Sequence, residues 1–322
     1  MKNSKLKHSN LDAIIKSTVR RVLTEAAITF GEHTYPKYGN VLIMAGGAGS
    51  GKGFALENEI AFEGKHFDVD FLKNQMRKFQ INSPIDKEFF QLYGKHISQT
   101  DMKNENDVSN LHEFCSKKGF DKQTIRQFIQ HASNRAIKDN MIFDVTLQNI
   151  RKLIEIVSYC DMCGYNRENI HIVWVLNDFS VAQQQNANRS RTVNNDILTS
   201  THVGVSKTIH DILTNAEGLM DNTDGSPIID GDMWILFNKK NVDNFTQTSS
   251  NGGKYVNKIN SIKIKEKGQS IKPFDSIMNE FVKVYDINGN LQNRNSVTVR
   301  DKVIDYVPEK AKEIWFSKPK TN

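Results

Sequence analysis

Residues 40–53 read NVLIMAGGAGSGKG. Val41 to Met44 is a short apolar run of the kind that forms a buried strand. A glycine-rich turn follows at once, and a helical stretch is predicted from Phe54 to Ala61. Gly46, Gly47, Ala48, Gly49, Ser50, Gly51 and Lys52 fit the spacing G-x-x-x-x-G-K. The chemistry of that spacing is anion binding. Glycines let backbone N–H groups turn inward on a phosphate, the following helix offers its positive end, and Lys52 reaches the outer phosphates. The stretch 46–53 therefore predicts nucleoside triphosphate binding. It also predicts an α/β fold of the P-loop NTPase type, a doubly wound parallel sheet.

One departure bears on the metal. A Ser or Thr hydroxyl usually follows the lysine and ligates Mg²⁺. Here Gly53 and then Phe54 follow. Adenylate-kinase-like loops are similar in carrying Gly after the Lys, with Thr next. Ser50, a later acidic residue or water is left to hold the ion. A degenerate loop that binds without catalysing is the competing reading.

The chain has 322 residues, a formal net charge of +6 and 38% hydrophobic residues. That length predicts one large domain with extensions. The mild positive charge suits anionic ligands without demanding nucleic acid. Three cysteines make no disulfide framework, and no apolar stretch is long enough for a membrane span, so a cytoplasmic protein is expected. Three parts are expected: an N-terminal amphipathic helix within 1–35, a kinase-like domain over 36–240, and a small α+β appendage over 241–322. In the first part Leu11, Ile14, Ile15, Val19, Val22, Leu23 and Ala26 recur at helical spacing between residues 10 and 28. That helix packs on the core or docks a protein partner.

Downstream, FDVDFLK at 67–73 puts Asp68 and Asp70 where a second strand ends and a helix begins. Ligands of open α/β sheets bind beyond the carboxyl ends of strands. A carboxylate there can take a proton from an attacking hydroxyl, and Asp70 is the candidate base. One of the two can instead cap the helix. Residues 74–139 read as a polar helical insert, with 98–110 as a loop. Arg77, Arg126 and Arg135 are possible phosphate contacts, but a solvated helix face explains each of them better. Met141 to Phe143 is a third short strand with Asp144 at its end, a Walker B-like pattern whose carboxylate holds Mg²⁺. Cys160 and Cys163, with His112 and Cys115, make a conceivable zinc set, but both pairs sit on helical patterns that explain them better as core thiols.

These motifs together resemble the zeta-toxin-like kinases, over roughly residues 40–215. That family carries motifs like IDNDTFK and IEGTLR, where this chain has FDVDFLK and IFDVTLQ (142–148). The resemblance implies Asp70 as general base, with Asp144 and Thr146 binding substrate; Asp68, at the strand end, is a further substrate-binding candidate. Val145 and Gln148 stand where the family has Gly and Arg, which leaves the acceptor open. It implies ATP and Mg²⁺ as cofactors and a lid with arginines, here Arg189 and Arg191. Beyond the strand HIVWVL (171–176), residues 192–217 are expected as helix or lid with a break at Thr199, Ser200 and His202. A final parallel strand is expected within 228–238 and a linker over 239–254. The expected activity is transfer of a phosphoryl group from ATP to a hydroxyl of a small or nucleotide-like acceptor. The alternatives are a non-catalytic nucleotide-binding or assembly protein and a kinase for nucleic-acid ends.

Overall fold

A computed structural model describes residues 38–188, 193–214, 220, 225–238, 246–248, 254–256, 260–282 and 297–316. Side chains at 69–71, 246–248, 254–256 and 260 are outside that description. The N-terminal helix expected over 10–28 and the arginines at 189 and 191 lie outside the described residues.

Five parallel strands form the centre. They are β1 (Val41–Ala45), β2 (Lys65–Asp68), β3 (Met141–Val145), β4 (Ile170–Leu176) and β5 (Met233–Phe237). Their spatial order is β2-β3-β1-β4-β5. Every residue of β1 and β4 is buried. That double-sided burial is why they read as unbroken apolar runs rather than as alternating ones. The chain leaves β1 for β2, returns to β3 beside β1, and crosses to β4 on the other side. β1 thus sits where the winding reverses, and a crevice opens beyond its carboxyl end.

Helices cover both faces. The helix after the glycine turn, α1, runs Lys52–Asn58, earlier than expected. On its face Ala55 packs with Leu42, Met44, Ile142, Val173, Val175 and Leu236. The larger core lies on the opposite face. There α5 (Phe120–Ser133), α6 (Ile150–Met162) and α8 (Asn195–Thr214) present Ile125, Ile156 and Ile209 to the sheet.

The insert is helical as expected, through α2 (Val69–Met76), α3 (Pro84–Tyr93) and α4 (Glu105–Lys117). These build a small core of their own around Met76, Phe89, Leu111 and Phe114. The expected loop over 98–110 is corrected. It holds a 3-10 turn at Ile97–Gln99 and the first turns of α4. Several of its polar residues bond the backbone of the turn, while Asp101, Lys103, Glu105 and Asn106 are exposed. Asn104 accepts the Asn106 and Asp107 amides, and buried Asp86 accepts the Ile97 amide at 2.9 Å.

After β5 come further strands and helices, in the stretch where a small α+β appendage is expected. The stretch expected as a linker contains an antiparallel pair, β6 (Thr246–Thr248) and β7 (Lys254–Val256). β8 (Asn260–Lys265) then joins the main sheet antiparallel to β5. α9 (Phe274–Met278) leads to a short antiparallel pair, β9 (Phe281–Val282) and β10 (Val297–Thr298). α10 (Val299–Tyr306) and α11 (Glu309–Phe316) close the chain. Trp315 stacks on Trp174 of β4, with centroids 5.6 Å apart at 13°. The remaining helix, α7 (Phe179–Ala187), follows β4 and is capped by the Asp178 carboxylate.

Candidate active site

The glycine loop leaves β1 at the reversal point and turns directly into α1. Gly51 adopts the left-handed region at φ 84°, and its missing Cβ would stand 2.3 Å from the Asn238 amide nitrogen. Only glycine serves there, because backbone strain and side-chain collision both exclude a substituent. No side chain caps the first turn of α1. Helix-start amides without such a partner suit an anion.

Lys52 folds back over the loop. Its Nζ donates to the carbonyls of Gly46 at 2.9 Å and Gly47 at 3.3 Å, and lies 3.5 Å from Asp144 Oδ1. Both side chains are partly shielded, 11% exposed for Lys52 and 27% for Asp144. β3 places Asp144 beside Met44 of β1 on one side and Asp68 of β2 on the other, in register. Lysine and two acid positions therefore meet at adjacent strand ends around one loop. Asp144 lies inside β3, one residue before its end. Thr146 follows β3, half-buried. Next to it Leu147 takes φ 50°, an uncommon value for a branched residue and a sign of a constrained turn. Val69 and Asp70 open α2 directly after Asp68, but the side chain of Asp70 is among those not described.

Three residues unforeseen in the sequence brace the loop. Thr201 Oγ1 accepts the Ala48 amide at 3.1 Å, and His202 Nε2 donates to the Ala48 carbonyl at 2.8 Å. Asn238 Nδ2 donates to the Ser50 carbonyl at 3.0 Å. The break expected at Thr199, Ser200 and His202 is corrected: α8 runs through it unbroken. Hydroxyls that could have competed with the helix are spent within it. Thr199 bonds to the Asn195 carbonyl at 2.8 Å and Ser200 to that of Ile197 at 2.9 Å.

Two arginines of the insert are engaged elsewhere. Arg126 lies over the Tyr159 ring at 4.4 Å, and Arg135 pairs with Asp139 at 3.6 Å. The cysteines divide between two cores, Cys115 beside Met76 and Cys160 against the sheet, so the four-ligand zinc set is not assembled. Hollows of about 330 and 460 Å³ flank the end of α6, and neither includes a residue of the glycine loop. The loop is the better candidate because its chemistry converges on one ligand class.

For Mg²⁺ the residues present fit an ion held mainly by phosphate. Among the described residues no cluster of three or more His, Cys, Asp or Glu could cage a metal. Mg²⁺ commonly takes one or two carboxylates with phosphate and water, and Asp144 can supply one. Apart from its own helix backbone and chain neighbours, nothing lies within 4 Å of where a Gly53 Cβ would stand, so no side chain offers a ligand there. The Ser50 hydroxyl is buried and has no protein partner.

Two buried histidines tie stability to pH. Burial, reinforced by Lys52, pushes His202 down to about 4. Burial and the nearby Lys267, Lys263 and Lys265 do the same to His171, against the pull of Asp232. Both are neutral in the native state at pH 7, and the unfolded chain binds more protons below the ordinary histidine pKa of about 6.5. Stability is therefore whole above that value and lost as the pH falls towards 4. For His202 the expected loss is on the order of 2–3 kcal/mol. Thermal unfolding at pH 7.5 and pH 5 measures it, and equal midpoints would contradict this account.

No family model and no curated relative matches the chain. Solved structures do. One is from the PezAT chromosomal toxin–antitoxin system of the human pathogen Streptococcus pneumoniae, at 13% identity over 70% of this chain and 77% of that one, TM-score 0.34. Another is AvrRxo1-ORF1:AvrRxo1-ORF2 with sulphate ions, at 12% identity over 86% and 75%, TM-score 0.37. The same pair with ATP gives 11% identity over 86% and 75%, TM-score 0.37. Likeness at this distance decides nothing about chemistry. No helix among the described residues is long and apolar enough to cross a membrane.

Proposed function

We propose that the chain is a P-loop kinase that binds ATP at residues 46–53 and transfers its γ-phosphoryl group to a hydroxyl of a small or nucleotide-like acceptor. The observation that carries this is Lys52 Nζ at the mouth of the glycine turn, 3.5 Å from Asp144 on the neighbouring strand. A lysine so placed can exchange its two loop carbonyls for phosphate oxygens when nucleotide arrives. Asp144 is the residue that would hold Mg²⁺, which when bound neutralises charge on the phosphates.

The acceptor then belongs beyond β2 and β3, near Asp68 and Thr146. Asp70 takes the proton as the acceptor oxygen bonds to the γ-phosphorus and the bond to the departing diphosphate breaks. Arg189 and Arg191 are proposed to screen charge on the group in flight. Asp70→Asn is expected to leave ATP affinity within about threefold and to cut transfer by roughly 10²–10⁴-fold, the usual worth of a general base. Incubation of a metabolite pool with labelled ATP and Mg²⁺, comparing wild type with this variant, identifies the product and reads the loss. Absence of nucleotide binding by the wild type would overturn the reading.

A second reading, a nucleotide-binding or assembly protein without turnover, is favoured by Gly53, which supplies no hydroxyl after Lys52. It predicts ATP binding with no Mg²⁺-dependent consumption of ATP in any pool.

A further inference from the structure

We propose that His202, with Thr201, is a positioning residue that turns the Gly49 amide into the phosphate cradle. The proposal rests on the nucleotide-binding reading above and goes further in assigning α8 a part in it.

Both polar atoms of one loop residue are tied to consecutive residues of α8. The Ala48 N–H goes to Thr201 Oγ1, and the Ala48 carbonyl receives His202 Nε2–H. A trans peptide keeps its N–H and C=O pointing in opposite directions, and no cis bond occurs among the described residues. The Ala48 N–H points at α8, so the Gly47 carbonyl of the same peptide must point away from it. It does: Lys52 Nζ donates to that carbonyl at 3.3 Å. The same rule applies to the next peptide. The Ala48 carbonyl points at α8, so the Gly49 N–H faces the side that Lys52 occupies. Gly49 sits at φ 73°, where glycine takes little strain, which lets successive peptides adopt these two directions.

The imidazole is fixed as firmly as the loop. A Cβ on Gly47 would stand 2.2 Å from the His202 ring, so the loop lies flush on it. Phe179 packs edge-on against the ring at 5.2 Å. His202 is 2% exposed. Burial keeps it neutral, so its service is one directed N–H rather than positive charge near phosphate. Ala48 itself cannot offer its amide to a phosphate while Thr201 holds it. The anion donors are thereby divided: Gly49 and the start of α1 face the ligand, and Ala48 faces the scaffold.

The test uses the full chain and Mg²⁺–ATP titrated by calorimetry. His202→Gln keeps a donor that can reach the Ala48 carbonyl and is expected to bind within about threefold of wild type. His202→Leu keeps bulk without the donor and is expected to bind at least tenfold more weakly. Thr201→Ser and Thr201→Val form a second pair, expected to divide in the same sense should His202→Leu not fold. A merely structural histidine would lower the unfolding midpoint of the Leu variant and leave its ATP affinity unmoved. If wild type binds and both apolar variants bind equally well, the positioning role is refuted. If wild type itself does not bind, the failure belongs to the nucleotide-binding reading.

Discussion

Lys52→Ala is expected to lower ATP affinity and turnover together, with kcat/KM falling at least ~100-fold, the scale seen when one preorganised donor is removed from a developing charge. The side chain is 11% exposed and spans two loop carbonyls and the Asp144 carboxylate. Its removal takes away the one cation that the described part of the cradle contributes, so that charge on Asp144 and on the incoming phosphates is left to Mg²⁺ alone. Lys52→Arg is not a safe substitute. Its planar fork is larger than a point charge and has to fit beside Gly46 and Gly47, both in close contact with neighbouring atoms. The loop itself should survive, because Thr201, His202 and Asn238 hold it independently of Lys52. Circular dichroism and unfolding midpoints near wild type, with ATP binding lost in calorimetry, are the expected pair of results. Full activity in Lys52→Ala would remove the site.

The parts of this site that the sequence revealed are those whose determinants are neighbours in the chain. The strand before the turn, the glycine spacing and the lysine are one continuous segment, and β1 with its loop follows from them. Asp144 was legible for the same reason, since an apolar triplet closed by an acid is a local signal. The braces were not legible. Thr201 and His202 meet Ala48 across more than 150 residues, and Asn238 meets Ser50 across 188. Worse, the run Thr199, Ser200, Thr201 and His202 carries the composition of a helix break. What reverses that expectation is burial: α8 lies against the sheet and the loop, and each of its hydroxyls at 199–201 finds a carbonyl of the preceding turn. A histidine flanked by such residues could have prompted the question of what neutral acceptor it serves, but nothing local names the acceptor.

The polar stretch over 98–110 taught a similar lesson at smaller scale. Asn104 and Asp107 look like solvated loop residues in sequence, and they act as helix cap and clasp. Lys95 and the Asp101 amide both reach the Asp107 carboxylate. Composition does not distinguish an exposed polar side chain from one that satisfies the backbone of a turn, because the same residue types do both. Ile262 and Ile264 alternate with polar residues, a local strand signal, but nothing local names the partner strand. An antiparallel edge strand has the same period whether it pairs within a hairpin or onto a distant parallel strand, and here it pairs with β5.

Trp315→Ala is expected to cost about 3–5 kcal/mol, the usual range for emptying a large aromatic site in a core. The indole is fully buried, 0% exposed, and stacks parallel to Trp174 of β4. Phe274 lies parallel to it at 6.3 Å, and the His210 ring meets it edge-on at 5.2 Å. Its Nε1–H donates to Ser206 Oγ at 2.6 Å, a buried bond to α8. Alanine would therefore leave a cavity and deprive a buried hydroxyl of its donor. Against a total stability on the order of 5–15 kcal/mol the change is severe. Trp315→Phe keeps much of the stack and loses only the bond and part of the area, so a milder loss of about 1–2 kcal/mol is expected. Urea unfolding followed by tryptophan fluorescence and by circular dichroism reads both variants. The bond partner gives the prediction a functional edge as well. Ser206 lies one turn beyond His202 on α8, so loosening Trp315 should weaken ATP binding at temperatures where the protein is still folded. Loss of stability below 1 kcal/mol in Trp315→Ala would mean that α11 is not part of the working core, and that the end of the chain rests on the sheet without holding it.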